Sequence, residues 1–158
     1  MVGKWREKLE REYPSHGKIV GILIPKPMDL DSLIRTVPEG YLVTDEQLRT
    51  ELARRSGADV ACSKVTGIFL RICAEAAEED RAEGREGITP YWRVISKDGS
   101  LKPKFPGGVE SQSFRLKGEG HQIVPGGGKK PPAVKDFQHA LVDIGVEPQT
   151  PVAIVNVE

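Results

Sequence analysis

The stretch from Val43 to Asp80 constrains the fold more than any other part of the chain. Val43-Thr44-Asp45-Glu46-Gln47-Leu48 opens a helix. Thr44 is placed to cap its N-terminus, and Gln47, three residues on, completes a capping box in which each side chain takes up a free backbone N–H. Leu48, Leu52 and Ala53 form the apolar stripe, and Ser56-Gly57 ends the helix. After a short Ala58-Asp59-Val60 connection, a second helix is expected from about Ser63 to about Asp80. Helix, glycine turn, helix is the outline of a helix-turn-helix, although in soluble proteins such pairs more often serve packing than DNA reading.

The remaining segments are shorter. Trp5, Leu9 and Tyr13 share helical spacing that stops at Pro14, and Ile19 to Ile24 is a short apolar run expected to be a strand or a buried extended segment. Asp29 is a candidate N-cap for a helix carrying Leu30, Leu33, Ile34 and Val37. Thr89 to Ile95 and the stretch near Leu101 flank Lys97-Asp98-Gly99-Ser100, which reads as a hairpin turn because Asp-Gly tolerates positive φ. That pair is expected to supply a wing-like β element. Glu110 to Leu116 has helical spacing, Pro125 to Pro132 has the composition of a linker, and Val134 to Ile144 is expected to be an amphipathic helix.

A length of 158 residues at 38% hydrophobic and 29% charged suits one domain with an ordinary core. Cys62 and Cys73 are too few for a disulfide framework and match no common metal spacing, so a reduced, cytoplasmic setting is expected. The charged N-terminal stretch lacks the apolar run of a signal peptide or membrane span. With 23 basic and 23 acidic residues the chain has no net charge to draw it to phosphate. Locally, Arg93, Lys97, Lys102, Lys104, Arg115 and Lys117 outnumber Asp98 and Glu110. The acidic run Glu75, Glu78, Glu79, Asp80 and Glu83 reads as a solvated helix face, not a metal site. Gly126-Gly127-Gly128-Lys129-Lys130 lacks the spacing and the Ser/Thr of a phosphate loop.

Past the helix pair, Pro90-Tyr91-Trp92-Arg93-Val94 is followed in order by Asp98-Gly99, Phe105-Pro106-Gly107-Gly108 and Glu119-Gly120-His121. These motifs, from about Val37 to Val124, resemble the C-terminal domain of the O6-alkylguanine DNA alkyltransferase family (methylated-DNA–protein-cysteine methyltransferases). The family pattern is Pro-Cys-His-Arg-Val, so Tyr91 stands where the alkyl-accepting Cys would be and Trp92 where the His would be. Replacement of the Cys makes the chain similar in type to the alkyltransferase-like proteins, which bind alkylated guanine and pass it to excision repair. The resemblance implies an α+β fold, a small winged-helix-like domain with a helix-turn-helix, a short β element and terminal helices. It divides the chain into an N-terminal extension over 1–36 (helix, short strand, helix), the alkyltransferase-like domain over 37–124, a Gly/Pro/Lys linker over 125–132, and a C-terminal helix and tail over 133–158.

The resemblance also assigns roles. Lys64 takes the place of the basic residue that enters the base stack, and Thr66 and Gly67 are the neighbouring DNA-contact candidates. Pro90, Tyr91, Trp92, Phe105, Gly107, Gly108 and Glu119 are candidates for the base pocket, with Arg93 as the anchor of its loop. Lys for Arg at position 64 weakens support for base extrusion, since a guanidinium plane stacks and an ammonium does not. Asp45 stands where the family has a Tyr, and its charge would repel phosphate. Val65, Thr66, Ile68 and Phe69 replace small residues, and Ile68, Leu70, Ile72 and Cys73 read as core.

Alkyl transfer needs a soft nucleophile with an accessible anion, which a phenol of pKa about 10 does not supply. Indole is a donor only and cannot act as a base, and Glu119 is left with no His to polarise. No catalytic residue, cofactor or metal is therefore expected. Tyr91 and Trp92 either offer an aromatic surface for a base or fill the vacated pocket as core. The leading expectation is a non-catalytic DNA-binding protein, its partners double-stranded DNA with a damaged or flipped base and another repair protein, and no membrane. One alternative is a protein-interaction module that no longer binds DNA; another is a methyltransferase with an unrecognised nucleophile.

Overall fold

A computed structural model describes residues 3–10, 22–23, 26–58 and 60–144. Five α-helices and short paired strands make an α+β fold. The elements run α1 (Lys4–Glu10), β1 (Ile22–Leu23), α2 (Pro27–Ile34), β2 (Val43–Thr44), α3 (Asp45–Ser56), β3 (Val60–Ala61), α4 (Ser63–Ala82), β4 (Val94–Ile95), α5 (Gly108–Gly118), β5 (Ile123–Val124) and β6 (Ala133–Val134). Single 3-10 turns occupy Tyr91–Arg93 and Phe137–Ala140.

The helix pair forms as its sequence dictates. Thr44 accepts from the Gln47 backbone N–H at 3.0 Å and its own N–H donates to Gln47 Oε1 at 2.9 Å, closing the capping box. Gly57 ends α3 in the left-handed region at φ 73°, where a side chain would be strained. In α4 the residues Leu70, Ile72, Cys73, Ala74, Ala76 and Ala77 are buried against Leu30, Leu33 and Ile34 of α2 and Leu9 of α1. Ile68, expected in the core, is instead 53% exposed, on the face of α4 turned away from that packing.

Several expectations for local structure fail, the first for a local reason and the others through strand pairing. Asp29 does not cap α2: Pro27 takes the first helical position, which makes Lys26 the cap and puts Asp29 inside the first turn. The Asp98-Gly99 turn forms, with Ser96 N–H donating to Ser100 O at 2.9 Å and Gly99 at φ 90°. Its flanks do not pair as a hairpin, because β4 runs parallel to β2 (Val43 with Val94, Thr44 with Ile95) and Ser100 bridges to Ala133.

The expected helix over Val134–Ile144 is absent, and Pro125 to Pro132 is a hairpin loop, not a linker. Strand β6 pairs antiparallel with β5 (Ile123 with Val134, Val124 with Ala133), and Asp136 at φ 53° stops any continuing helix. Leu141 then forms a bridge with Leu42, so the apolar residues that fit helical spacing are used in pairing and in a second core cluster of Leu42, Ile95, Leu101, Leu116 and Val134. The expected continuation of the first helix to Tyr13, and the outer parts of the Ile19–Ile24 run, lie outside the described residues; Ile22 and Leu23 pair parallel with Val60 and Ala61.

Candidate nucleic-acid interface

The 3-10 turn at Tyr91–Arg93 carries Tyr91 into the interior, where it is 2% exposed. Its hydroxyl donates to Glu78 Oε2 at 2.5 Å, and its ring meets Phe105 and Trp92 edge-on at centroid distances of 5.3 and 5.4 Å. The Arg115 guanidinium lies 4.3 Å from the Trp92 ring centroid and donates to Glu78 at 2.8 Å. Burial first, and then the Glu78 carboxylate, push the Tyr91 phenol well above its ordinary pKa, so its nucleophilic anion is suppressed. Burial also works against the charge on Glu78, but the bonds from Tyr91, Arg81 and Arg115 outweigh it and hold that carboxyl below its usual range.

Glu119 is the second node. It accepts from Trp92 Nε1 at 2.8 Å, from Arg93 Nη2 at 2.8 Å and from the Gly40 N–H at 3.3 Å, while Arg93 Nη1 donates to Val37 O at 2.7 Å. With no His to polarise, as expected, Glu119 is taken up structurally: the Trp92 indole N–H occupies it, and Arg93 binds it as well. These bonds join the α2–β2 loop, the 91–93 turn and the end of α5. Burial raises the Glu119 pKa, yet the bonds from Arg93 and Trp92 prevail and keep it ionised below the usual carboxylate range.

Of the other pocket candidates, Pro90 is buried, Phe105 is 5% exposed, Gly107 caps α5 in the left-handed region, and Gly108 is the first residue of that helix. The structure thus brings Tyr91, Trp92, Phe105 and Glu119 into one packed cluster in which Tyr91 fills space. Cys73 offers no alternative nucleophile, since burial drives its thiol pKa well up and Sγ faces Pro27 O at 3.5 Å.

Phe105 also lines an open groove that the other pocket candidates do not reach. The groove, of about 740 Å³, runs along the N-terminal half of α4, lined there by Lys64, Gly67, Ile68 and Arg71 among others. Trp5 and Lys8 of α1 form another part of its wall, and Ser96, Lys102, Lys104 and Phe105 complete it. No Asp or Glu is among the lining residues described. Lys64 and Lys104 are exposed, whereas Lys102 is paired with Asp45, so the Asp45 charge is neutralised within the fold.

Gly67 faces open space, with nothing within 4 Å of where a Cβ would sit. Thr66 cannot contact DNA as expected: it is 1% exposed and its hydroxyl donates to Cys62 O at 2.6 Å, back into its own helix.

The acids of α4 sit in its second half and are occupied, not solvated as a free face. Glu79 accepts the Trp5 and Arg6 backbone N–H groups at 2.9 and 3.0 Å, and Asp80 pairs with Arg6 and Arg85. Helix α4 is therefore basic and open at one end, where Arg71 is half-exposed and pairs with Glu75 one turn on at 3.7 Å, and acidic and consumed by partners at the other. Trp5, expected only as part of a helical stripe, and Lys8 and Arg71 are not among the candidates above; their signal in the sequence is an aromatic residue with lysines at positions 4 and 8, one residue before it and three after.

No protein-family model matches this chain, and no curated protein does. Among solved structures it is similar to S. pombe Atl1 in complex with damaged DNA containing O6-carboxymethylguanine, at a TM-score of 0.51 and 17% identity, covering 74% of this chain and 94% of that one. The fold shared with that alkyltransferase-like protein is the expected α+β class. Among the described residues no helix is long and apolar enough to cross a membrane.

Proposed function

We propose that this chain binds duplex DNA through the groove beside α4 and recognises a damaged or unpaired base without alkyl transfer. The observation that carries the reading is the groove itself. In a chain of zero net charge, Lys8, Lys64, Arg71 and Lys104 converge on one concave, partly apolar surface, on a fold shared with a protein solved with damaged DNA. The β5–β6 hairpin, with Lys129 and Lys130 at its tip, serves in this reading as the wing. Tyr91, neutral and buried, leaves no reacting nucleophile at that position, and incubation with methylated DNA is expected to leave no methyl adduct by intact mass.

Fluorescence anisotropy with duplexes carrying O6-methylguanine or guanine tests the reading near physiological salt. Tighter binding of the lesion duplex supports it; equal or absent binding removes lesion recognition. With few cations in the groove, the slope of log K against log salt is shallow, about −2 to −4.

A second reading rests on Phe114, which is 80% exposed on α5. A protein partner docking there, such as the next factor in repair or a partner independent of DNA, would cover it.

A further inference from the structure

Trp5 belongs to the N-terminal helix, and its ring is the partly exposed aromatic surface of the groove. Phe105 lines the same space but is almost wholly buried, its ring engaged edge-on with Tyr91. Tyr91 and Trp92, the aromatics of the altered motif, do not line it. Trp5 is also fixed in place. Its backbone N–H and that of Arg6 both donate to Glu79, Arg6 pairs with Asp80, and Leu9 one turn on is buried in the core. Around the ring stand Lys8, Lys4 and Arg71, at 4.7, 5.5 and 5.9 Å from the centroid.

We infer that Trp5 is the stacking platform for an unpaired base, with Lys8 and Arg71 taking the phosphates beside it, so that the base is received at α1 and not at the Tyr91 position. The assignment rests on the DNA-binding reading above and names the part of that site which selects an unstacked base. A nucleotide offers two chemistries, a flat π face and an anionic backbone, and the groove presents their complements within one side chain's reach. The ammonium of Lys8 lies over the ring in the free protein and is free to swing to a phosphate when a base takes its place, because it sits on a flexible four-carbon stem. Anchoring of the Trp5 and Arg6 backbone by Glu79 leaves only the two side-chain torsions of Trp5 to be ordered on binding.

The test compares a duplex bearing one bulged purine with the same duplex fully paired, by anisotropy on the full chain. Trp5→Leu is expected to weaken the bulged duplex on the order of 10-fold, the share of one base–aromatic stack, and to leave the paired duplex within about 2-fold. Trp5→Phe, which keeps a π face, recovers most of the loss. If Trp5→Leu weakens both duplexes alike or neither, Trp5 only anchors α1 and the assignment fails, while DNA binding by the groove stands.

Should Trp5→Leu not fold, the wild-type chain labelled with 5-fluorotryptophan decides. Its Trp5 ¹⁹F resonance, assigned with Trp5→Phe, is expected to move on saturation with the bulged duplex. An unmoved resonance overturns the proposal. Absence of binding to any duplex by the wild type removes the functional reading and this inference together.

Discussion

Two neighbouring regions share Phe105 and differ in nearly everything else. Its ring meets Tyr91, in a cluster where the polar groups of Tyr91, Trp92, Arg93, Arg115, Glu78 and Glu119 are hydrogen-bonded to one another. It also lines a groove whose lysines at 8, 64 and 104 face solvent or a nearby ring, not a carboxylate in the groove. The first region resembles an active site in sequence and is core in structure. The second carries no motif and has the open, charged surface that binding requires. Aromatic residues with satisfied polar partners add rigidity, whereas binding to an external polyanion needs charge left over after folding.

The largest effect should come from opening the closed region. Tyr91→Ala removes a buried ring and its bond to Glu78, and is expected to cost about 3–5 kcal/mol of stability, measured by urea denaturation. If the loss is under about 1 kcal/mol, far less than a buried aromatic costs on removal, the Tyr91 region is open after all and the comparison collapses.

Next in size is the Glu119 node. Glu119→Gln leaves Arg93 and the Trp92 N–H with a weaker acceptor, at a cost of about 2–3 kcal/mol, as for hydrogen bonds to a charged group. Its pH dependence has a definite sign. Glu51, held at about 2 chiefly by its bond from Arg54, and Glu78 and Glu119, held below the usual range, all have folded pKa values lower than unfolded ones. Their contribution is complete above the ordinary Glu value of about 4.3 and is lost as pH falls toward the folded values.

His121, lowered by burial, begins the decline earlier, as pH falls through the ordinary imidazole value of about 6.5, because the unfolded chain takes up that proton first. Thermal unfolding between pH 7 and pH 3 should show both limbs, and Glu119→Gln should flatten the lower one. A Glu119→Gln profile that matches the wild type throughout that range would show that Glu119 is not held by these bonds.

What the chain discloses of itself divides along the same line. Thr44, Gln47 and Gly57 are readable because capping and left-handed turns are local chemistry, and the span of α4 follows from its apolar periodicity. The helix expected at Val134–Ile144 fails because Val134 pairs with Ile123 across a hairpin and Leu141 with Leu42, far off in sequence, and periodicity sees neither partner. Tyr91 reads equally as core or as surface in the sequence, because the group that takes its hydroxyl, Glu78, lies thirteen residues away on α4. The groove is the least legible part, since it exists only once α1 has docked on α4 and loop 102–105 has closed against them.

The open region should respond in binding and hardly at all in stability. Lys64→Glu reverses one exposed charge on the groove and is expected to weaken every duplex about tenfold at low salt, reducing the salt slope by about 1–2. Its stability stays within about 0.5 kcal/mol, as for surface substitutions elsewhere. A Lys64→Glu protein that binds as the wild type does would move the interface off the groove.

The smallest expected effect is at Phe114, and it separates the two functional readings. Phe114 is 80% exposed on α5 and does not line the groove, so Phe114→Ser removes apolar surface that the fold scarcely uses. Stability should change by less than about 0.5 kcal/mol, and affinity for either duplex should hold within error. If duplex binding falls, DNA reaches α5 and the interface is wider than the groove. If DNA binding holds while a protein partner is lost from pull-downs made with and without nuclease, the two surfaces are independent. The groove would then serve DNA and α5 the partner that follows it.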